Sequence, residues 1–211
     1  MTKLVRLGPI LFAVACLSGC SSSLLDDPGV SLPPAEPAQT YSTKAVALNE
    51  KANELLTIDV AQAADLYDQA IEEDPNFYPA YCNKATLLVD QDSFSDAITY
   101  FRRLAALRPQ MAECYVGWAY CLNRTGQKRK ARQRLRFAIA AYNERLRQQP
   151  NDPMTLLNRA VAAYVAGETE TALKEVERVL TSHPDSEMAK HLLKAMRAPQ
   201  KKNNRWTIIF D

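Results

Sequence analysis

A pattern with a period of about 34 residues recurs along the chain and constrains its fold more than any other feature. In its clearest copy, residues 78–111, alanines at places eight and twenty would let two antiparallel helices approach closely. Large side chains at places four, eleven and twenty-four would fill the space around them. The two alanines are Ala85 and Ala97, and the three large residues are Tyr81, Leu88 and Phe101. Pro109 ends the second helix because proline cannot continue it. The pattern therefore predicts a helical hairpin.

The same frame fits twice more downstream, starting at Ala112 and at Pro153. Gly126 and Gly167 share one place in these copies, where a residue in the left-handed region ends a helix and glycine is favoured. An upstream start at Lys44 fits less well, because Glu54 stands where an apolar residue belongs.

These places resemble the tetratricopeptide repeat family over residues 44–184, with repeats at about 44–77, 78–111, 112–152 and 153–184. The resemblance implies an all-α, right-handed solenoid of about four helix pairs, whose first helices line a concave groove. The amphipathic residues 185–198 are expected to form a helix that caps it. The third repeat departs from the family, because its second helix runs on to Pro150 and gains about two protruding turns.

Residues 1–20 read as a targeting segment. Lys3 and Arg6 give a positive start, and the apolar run that follows is shorter than the roughly 20 residues a membrane-spanning helix needs. The run ends in a Leu-Ser-Gly-Cys sequence that resembles the bacterial lipobox, whose cysteine becomes the lipidated first residue. We therefore expect a lipoprotein signal peptide with Cys20 as the lipidation site; the alternative is an ordinary signal peptide with an incidental cysteine.

Lipidation would anchor the chain to a membrane. Ser21 stands where an aspartate would retain a lipoprotein in the inner membrane, so the resemblance implies an outer-membrane lipoprotein facing the periplasm of a Gram-negative cell. Residues 21–43 are rich in proline and lack a helical period, which predicts a disordered tether. Residues 199–211 end in an apolar, β-prone stretch at 206–210 that either folds back onto the solenoid or pairs with a partner.

Composition and motifs exclude several classes of protein. The 211 residues include 26 basic and 24 acidic ones. Removing Lys3 and Arg6 with the leader leaves 24 basic residues against 24 acidic ones, so the mature chain is near neutral. A near-neutral charge argues against nucleic-acid binding. The sequence has no Gly-rich phosphate loop, no Gly-x-Ser-x-Gly and no His-Glu-x-x-His. We therefore expect no enzyme, no cofactor and no metal site.

Three cysteines remain after the leader and Cys20: Cys82, Cys114 and Cys121. Cys114 and Cys121 lie on one helix with Cα atoms about 10.5 Å apart, too far for a disulfide. A bridge from Cys82 to either stays open; the simpler interpretation is three small, buried packing residues.

The candidate working surface is the concave groove, which the family lines with six places of each first helix. Carried over by resemblance, the partner-binding residues are Asn83, Thr86, Val116, Tyr120, Asn123, Arg124, Met154, Leu157, Asn158, Val161 and Tyr164. Asn83 and Asn158 stand at place six, where the family often has an asparagine able to bond a ligand backbone, although asparagine is also the consensus there. The cations that clamp a carboxylate in chaperone-binding relatives are absent, so the groove suits an amphipathic helix or extended segment of another protein.

Charge is uneven along the chain. Repeat one is acidic between Asp65 and Asp74, and the second helix of repeat three is strongly basic from Lys128 onward. The basic run is either a solvated outer face or a surface for an acidic partner, anionic lipid heads or an acidic repeat of another copy.

These features together predict a lipid-anchored periplasmic scaffold that binds another protein. Its layout resembles the tight-adherence pilus lipoproteins, and more loosely the pilotins that place secretin channels in the outer membrane. The resemblance implies a role in assembling an envelope machine such as a pilus or secretion system. The alternative is an adaptor for peptidoglycan hydrolases or proteases at the outer membrane.

Overall fold

The computed structural model describes residues 40–198, which form nine helices. In chain order they are α1 (Thr43–Leu55), α2 (Val60–Glu73), α3 (Tyr78–Asp90), α4 (Phe94–Leu107), α5 (Ala112–Arg124), α6 (Lys128–Gln148), α7 (Pro153–Ala166), α8 (Thr169–Ser182) and α9 (Glu187–Arg197). Within this described part, no helix combines the length and the apolar character needed to span a bilayer. The predicted signal peptide, Cys20, most of the tether and the tail at 199–211 lie outside the described residues.

Consecutive helices pack against each other, so the chain builds four hairpins, α1–α2, α3–α4, α5–α6 and α7–α8, and then α9. The predicted all-α solenoid is therefore confirmed. Helix α9 packs against α8 and buries Ala189, Leu192 and Met196 from its apolar stripe. It covers the last repeat, as a terminal helix of a solenoid does.

The close approach of paired helices depends on the predicted small residues. The alanines at places eight and twenty of repeats two, three and four are all fully buried: Ala85, Ala97, Ala119, Ala131, Ala160 and Ala172. A larger side chain at any of these places would force the backbones apart, because protein interiors are close-packed.

The helix ends follow from local chemistry. Asp59 and Asp152 accept hydrogen bonds from the backbone amides of Gln62 and Thr155, at 2.9 and 2.7 Å, and so cap α2 and α7. Ser93 also precedes a helix, but its side chain makes no capping hydrogen bond.

The turns inside three hairpins use the same left-handed position. Gly126 and Gly167 have φ values of 80° and 92°, as their shared place predicted, and Asp92 has a φ of 57° at the same place in repeat two. Aspartate is one of the few residues that enter this region without a large penalty, which explains why repeat two turns without glycine.

The helical domain begins slightly before the predicted end of the tether. Thr43 is already helical, and the Ser42 side chain caps α1 by accepting a bond from the Ala45 amide at 3.4 Å. The Tyr41 ring packs edge-on against Phe77 at 5.1 Å. The Tyr41–Phe77 contact, which depends on a residue more than thirty positions downstream, could not be read from local composition.

Helix α6 is longer than its counterparts, as its late proline predicted. It has 21 residues, whereas α4 and α8 have 14 each. The extra turns add about 10 Å and do not simply protrude. They bury Leu146 and Glu144, so the added length contributes packing surface.

The core is divided along the chain. One large hydrophobic cluster runs from Tyr81 in α3 to Met196 in α9. Two smaller clusters hold the first hairpin, one containing Ala63 and Tyr67 and the other containing Ala45. The first hairpin therefore packs against α3 through its own small clusters and contributes no fully buried side chain to the large one.

The three cysteines are buried. Cys114 and Cys121 are free thiols, so neither is bonded to Cys82. Burial raises the pKa of Cys121 from 9.0 to about 12 and that of Tyr115 from 10.0 to about 12.

These shifts predict a loss of stability at alkaline pH. Above about pH 9 the unfolded chain releases the Cys121 and Tyr115 protons while the folded chain keeps them. The contribution of these two groups to the free energy of unfolding is therefore complete below their unfolded pKa values, and it declines as the pH rises toward about 12. We expect the urea midpoint, followed by circular dichroism, to fall steadily between about pH 9 and pH 11. The urea midpoint of the Cys121→Ala variant should fall less steeply over the same range, relative to its own midpoint at neutral pH. A midpoint of the unsubstituted chain that does not change with pH would contradict the prediction.

Candidate partner-binding surface

Place six of the first helices forms a row of asparagines that begins in repeat one. Asn83 Nδ2 on α3 donates to Asn49 Oδ1 on α1 at 2.9 Å, and the two residues are 34 positions apart. The same nitrogen lies 3.2 Å from Asn53 Oδ1, which also accepts a 2.6 Å bond from the Tyr67 hydroxyl. These bonds tie neighbouring first helices together and fix the orientation of the Asn83 amide.

Two amide groups in this row keep hydrogen-bonding capacity. Among residues 40–198, no donor reaches Asn83 Oδ1, and the Asn158 side chain on α7 makes no hydrogen bond. A primary amide can both accept from and donate to a peptide backbone. Half-buried Asn83 therefore keeps an unpaired acceptor, and Asn158, which is 9% exposed, keeps an unpaired amide, where the resemblance expects contact with an extended or helical partner.

The structure divides the predicted groove residues by exposure. Five apolar or aromatic members belong to the large core cluster and are buried: Val116, Tyr120, Leu157, Val161 and Tyr164. Asn158 is buried as well, at 9% exposure. Four are half-buried, namely Asn83, Thr86, Asn123 and Met154, and Arg124 is exposed. The described chain thus places the apolar members in its packing and leaves mainly polar members at the surface.

Arg124 is held at one end of α5 by aromatic contacts. Its guanidinium lies 4.3 Å from the Phe94 ring centre, and Nη1 donates to the Tyr120 hydroxyl at 2.8 Å. A weaker contact reaches Asp92 at 3.4 Å. Burial raises the pKa of Tyr120, and the nearby Arg124 charge opposes that rise. The cation is therefore oriented before any partner binds.

A second recurring site, at place seven, was not identified from the sequence. Lys84 is buried, and its Nζ contacts Asp68 Oδ2 at 2.7 Å and the Ala64 carbonyl oxygen at 3.0 Å. Tyr100 donates to the other Asp68 oxygen at 3.1 Å. Asp68 and Tyr100 lie sixteen residues before and after Lys84, so the site joins three successive helices.

Arg159 repeats this geometry in repeat four. It bonds Asn143, sixteen residues before it, at 2.7 Å and pairs with Glu175, sixteen residues after it, also at 2.7 Å. The signal in the sequence was a cation at place seven, with one polar residue sixteen positions before it and another sixteen positions after it. That signal becomes readable only once the helix register is known.

Repeat three replaces the place-seven cation with Trp118. Arg134, sixteen residues later, lies with its guanidinium 4.2 Å from the Trp118 ring centre. Trp118 Nε1 and Arg134 Nε are both buried, and neither has a hydrogen-bond partner among residues 40–198. The charge has moved to the opposite helix and is held by the face of the ring rather than by a carboxylate.

The comparison with protein families agrees with this geometry. Models described as tetratricopeptide repeat match residues 66–99 and residues 124–187. This chain contains tetratricopeptide repeats. The two matches cover parts of all four repeat units recognised in the sequence.

Solved structures show the same fold at low sequence identity. PilW, titled a widely conserved type IV pilus biogenesis factor, is 18% identical, with 74% of this chain and 69% of PilW covered at a TM-score of 0.57. MamA residues 41 to the end from Desulfovibrio magneticus RS-1 is 14% identical, with 74% and 85% covered at a TM-score of 0.50. No curated protein matches this chain by sequence.

The coarse function follows from the tetratricopeptide domain. The chain is a scaffold for protein–protein interaction, and neither matching family model describes a catalytic family. Within residues 40–198, no group of histidine, cysteine, aspartate and glutamate side chains is placed to hold a metal ion.

Proposed function

We propose that the chain is a lipid-anchored periplasmic scaffold whose first helices bind another envelope protein during assembly of a pilus or secretion system. The observation that carries the binding role is the asparagine row, in which half-buried Asn83 and buried Asn158 keep hydrogen-bonding capacity beside half-buried Thr86 and Met154. The leader and Cys20 support the anchor, and the fold likeness to a pilus biogenesis factor supports the choice of machine.

The anchor is tested by labelling. We expect the full chain, made with its native leader in a Gram-negative host, to incorporate radiolabelled palmitate and sediment with membranes. The Cys20→Ser variant should do neither, because the acyl chains attach through the cysteine sulfur. An unlabelled, freely soluble wild-type chain would remove the anchor from the proposal and leave the binding surface untouched.

The binding surface is tested by co-purification. The Asn83→Ala, Asn158→Ala double variant should recover at least about tenfold less secretin or pilus protein than the unsubstituted chain, because partner backbone groups lose their hydrogen bonds. Asn76→Ala is a matched control, since Asn76 is an exposed asparagine in the α2–α3 turn. Circular dichroism would verify folding of each variant. Equal recovery from all variants, or recovery of neither class of partner, would count against the proposed role.

A further inference from the structure

A cleft on the outer side of repeats three and four is separate from the first-helix surface. The first three turns of α6 and the α7–α8 turn enclose a cavity of about 890 Å³. Its cationic residues are Lys128, Arg129, Arg132 and Arg136, and its accessible apolar surface includes the half-buried Ile139 and Ala166. We call this cavity the basic cleft.

The four cations of the basic cleft are exposed and uncompensated. None of their side chains forms an ion pair or hydrogen bond with another residue in the range 40–198. Lys84, Arg145 and Arg159, by contrast, each have a carboxylate partner. Glu168 lies across the cleft and pairs with none of the four. The cleft therefore has excess positive charge.

This arrangement is unfavourable for α6 on its own. Lys128, Arg132 and Arg136 lie four residues apart, and like charges at that spacing repel each other on a helix. Lys128 and Arg129 also occupy the first turn, which contains no acidic residue and where the helix dipole disfavours cations. A bound anionic group would relieve both effects.

The shape of the cleft selects among anionic partners. A planar bilayer surface touches protruding groups and would not use the half-buried Ile139 or Ala166. A single phosphate would fill little of a cavity of about 890 Å³. Successive cations are about 6 Å apart along α6, close to the spacing of about 6.8 Å between alternate side chains of an extended peptide.

We propose that the basic cleft binds an acidic peptide segment of another protein, with carboxylates at alternate positions and apolar side chains between them. The carboxylates contact Lys128, Arg132 and Arg136, while the apolar side chains cover half-buried Ile139 and Ala166. This surface is independent of the asparagine row, so one tetratricopeptide domain would hold two partner segments at once.

The test uses the full chain and a fluorescein-labelled peptide of alternating glutamate and leucine, with a glutamine-for-glutamate peptide as the probe control. We expect fluorescence anisotropy to show binding of the acidic peptide only. The affinity should weaken at least several-fold from 50 to 300 mM salt, because solvated charges are screened beyond a Debye length of about 8 Å at physiological ionic strength.

Charge reversal locates the site. Arg132→Glu with Arg136→Glu should weaken binding at least about tenfold, since like charges would then face each other across the interface. Arg102→Glu with Lys174→Glu makes the same change in net charge at exposed outer-helix positions away from the cleft and should change affinity less than about twofold. Both double variants should keep the wild-type circular dichroism spectrum.

Three outcomes would overturn the proposal. Equal weakening by the two double variants would mean that net charge, not the cleft, attracts the peptide. Binding to phosphatidylglycerol vesicles but not to the peptide, lost in the Arg132, Arg136 variant, would identify a membrane surface. Self-association by sedimentation that the same variant abolishes, without peptide binding, would identify the acidic first repeat of a second copy as the occupant.

Discussion

Phe101→Ala is expected to lower the free energy of unfolding by about 3–5 kcal/mol. The Phe101 side chain is fully buried in α4 and belongs to the large core cluster together with Ala85 and Ala97. Truncation removes the transfer free energy of the ring and leaves a cavity that backbones held by small residues cannot close. Since domains are stable by roughly 5–15 kcal/mol, this loss would take much of the total.

The measurement is urea unfolding followed by far-ultraviolet circular dichroism. Phe94→Ala supplies a control of the same residue type, because Phe94 is half-buried and already keeps part of its surface in water. We expect Phe94→Ala to cost clearly less. A cost below about 1 kcal/mol for Phe101→Ala would show that α3 and α4 do not pack as described.

Arg145→Ala is expected to lower the free energy of unfolding by about 3–5 kcal/mol as well, for an electrostatic reason. Arg145 Nη1 lies 2.5 Å from Glu113 Oε1, and only 8% of the Glu113 side chain is exposed. Tyr142, which is buried beside the pair, has a pKa well above its usual value, first because of burial and next because of the Glu113 charge. Removing the guanidinium would leave a carboxylate in the interior without its cation.

A double variant separates the pair from simple loss of packing. Adding Glu113→Gln to Arg145→Ala removes the stranded charge and should recover part of the lost stability, which a thermodynamic cycle would measure. Lys190→Ala serves as the control, because Lys190 and Glu187 are both well exposed, and it should cost no more than about 1 kcal/mol. If the double variant proved as unstable as the sum of the single ones, the ion pair would not be the cause.

Local chemistry made the helices predictable from the sequence. Proline and glycine end helices close to the residue where they occur, so α4 ends just before Pro109, α5 just before Gly126 and α7 just before Gly167, as the pattern predicted. The alanine places were predictable for the same reason, since a helix pair can approach closely only where side chains are small.

Side-chain partners were not predictable in the same way. The Glu113–Arg145 pair spans thirty-two residues and exists only because α6 continues for two extra turns. The burial of Val116 and Tyr164 likewise depends on how neighbouring repeats stack, whereas the family places describe an average repeat. The candidate surface on the first helices stays a prediction by resemblance, and the fold shows which of its members are exposed.

The divided core has a mechanical consequence. Tension applied through the residues that precede Thr40 would reach α1 before any other helix, and α1 is held by two small clusters rather than the large one. The leading hairpin would peel away at low force while the remaining hairpins stay assembled, since each repeat depends mainly on its neighbours. A chain tethered at that end would unfold under tension in two steps, the first hairpin before the other three.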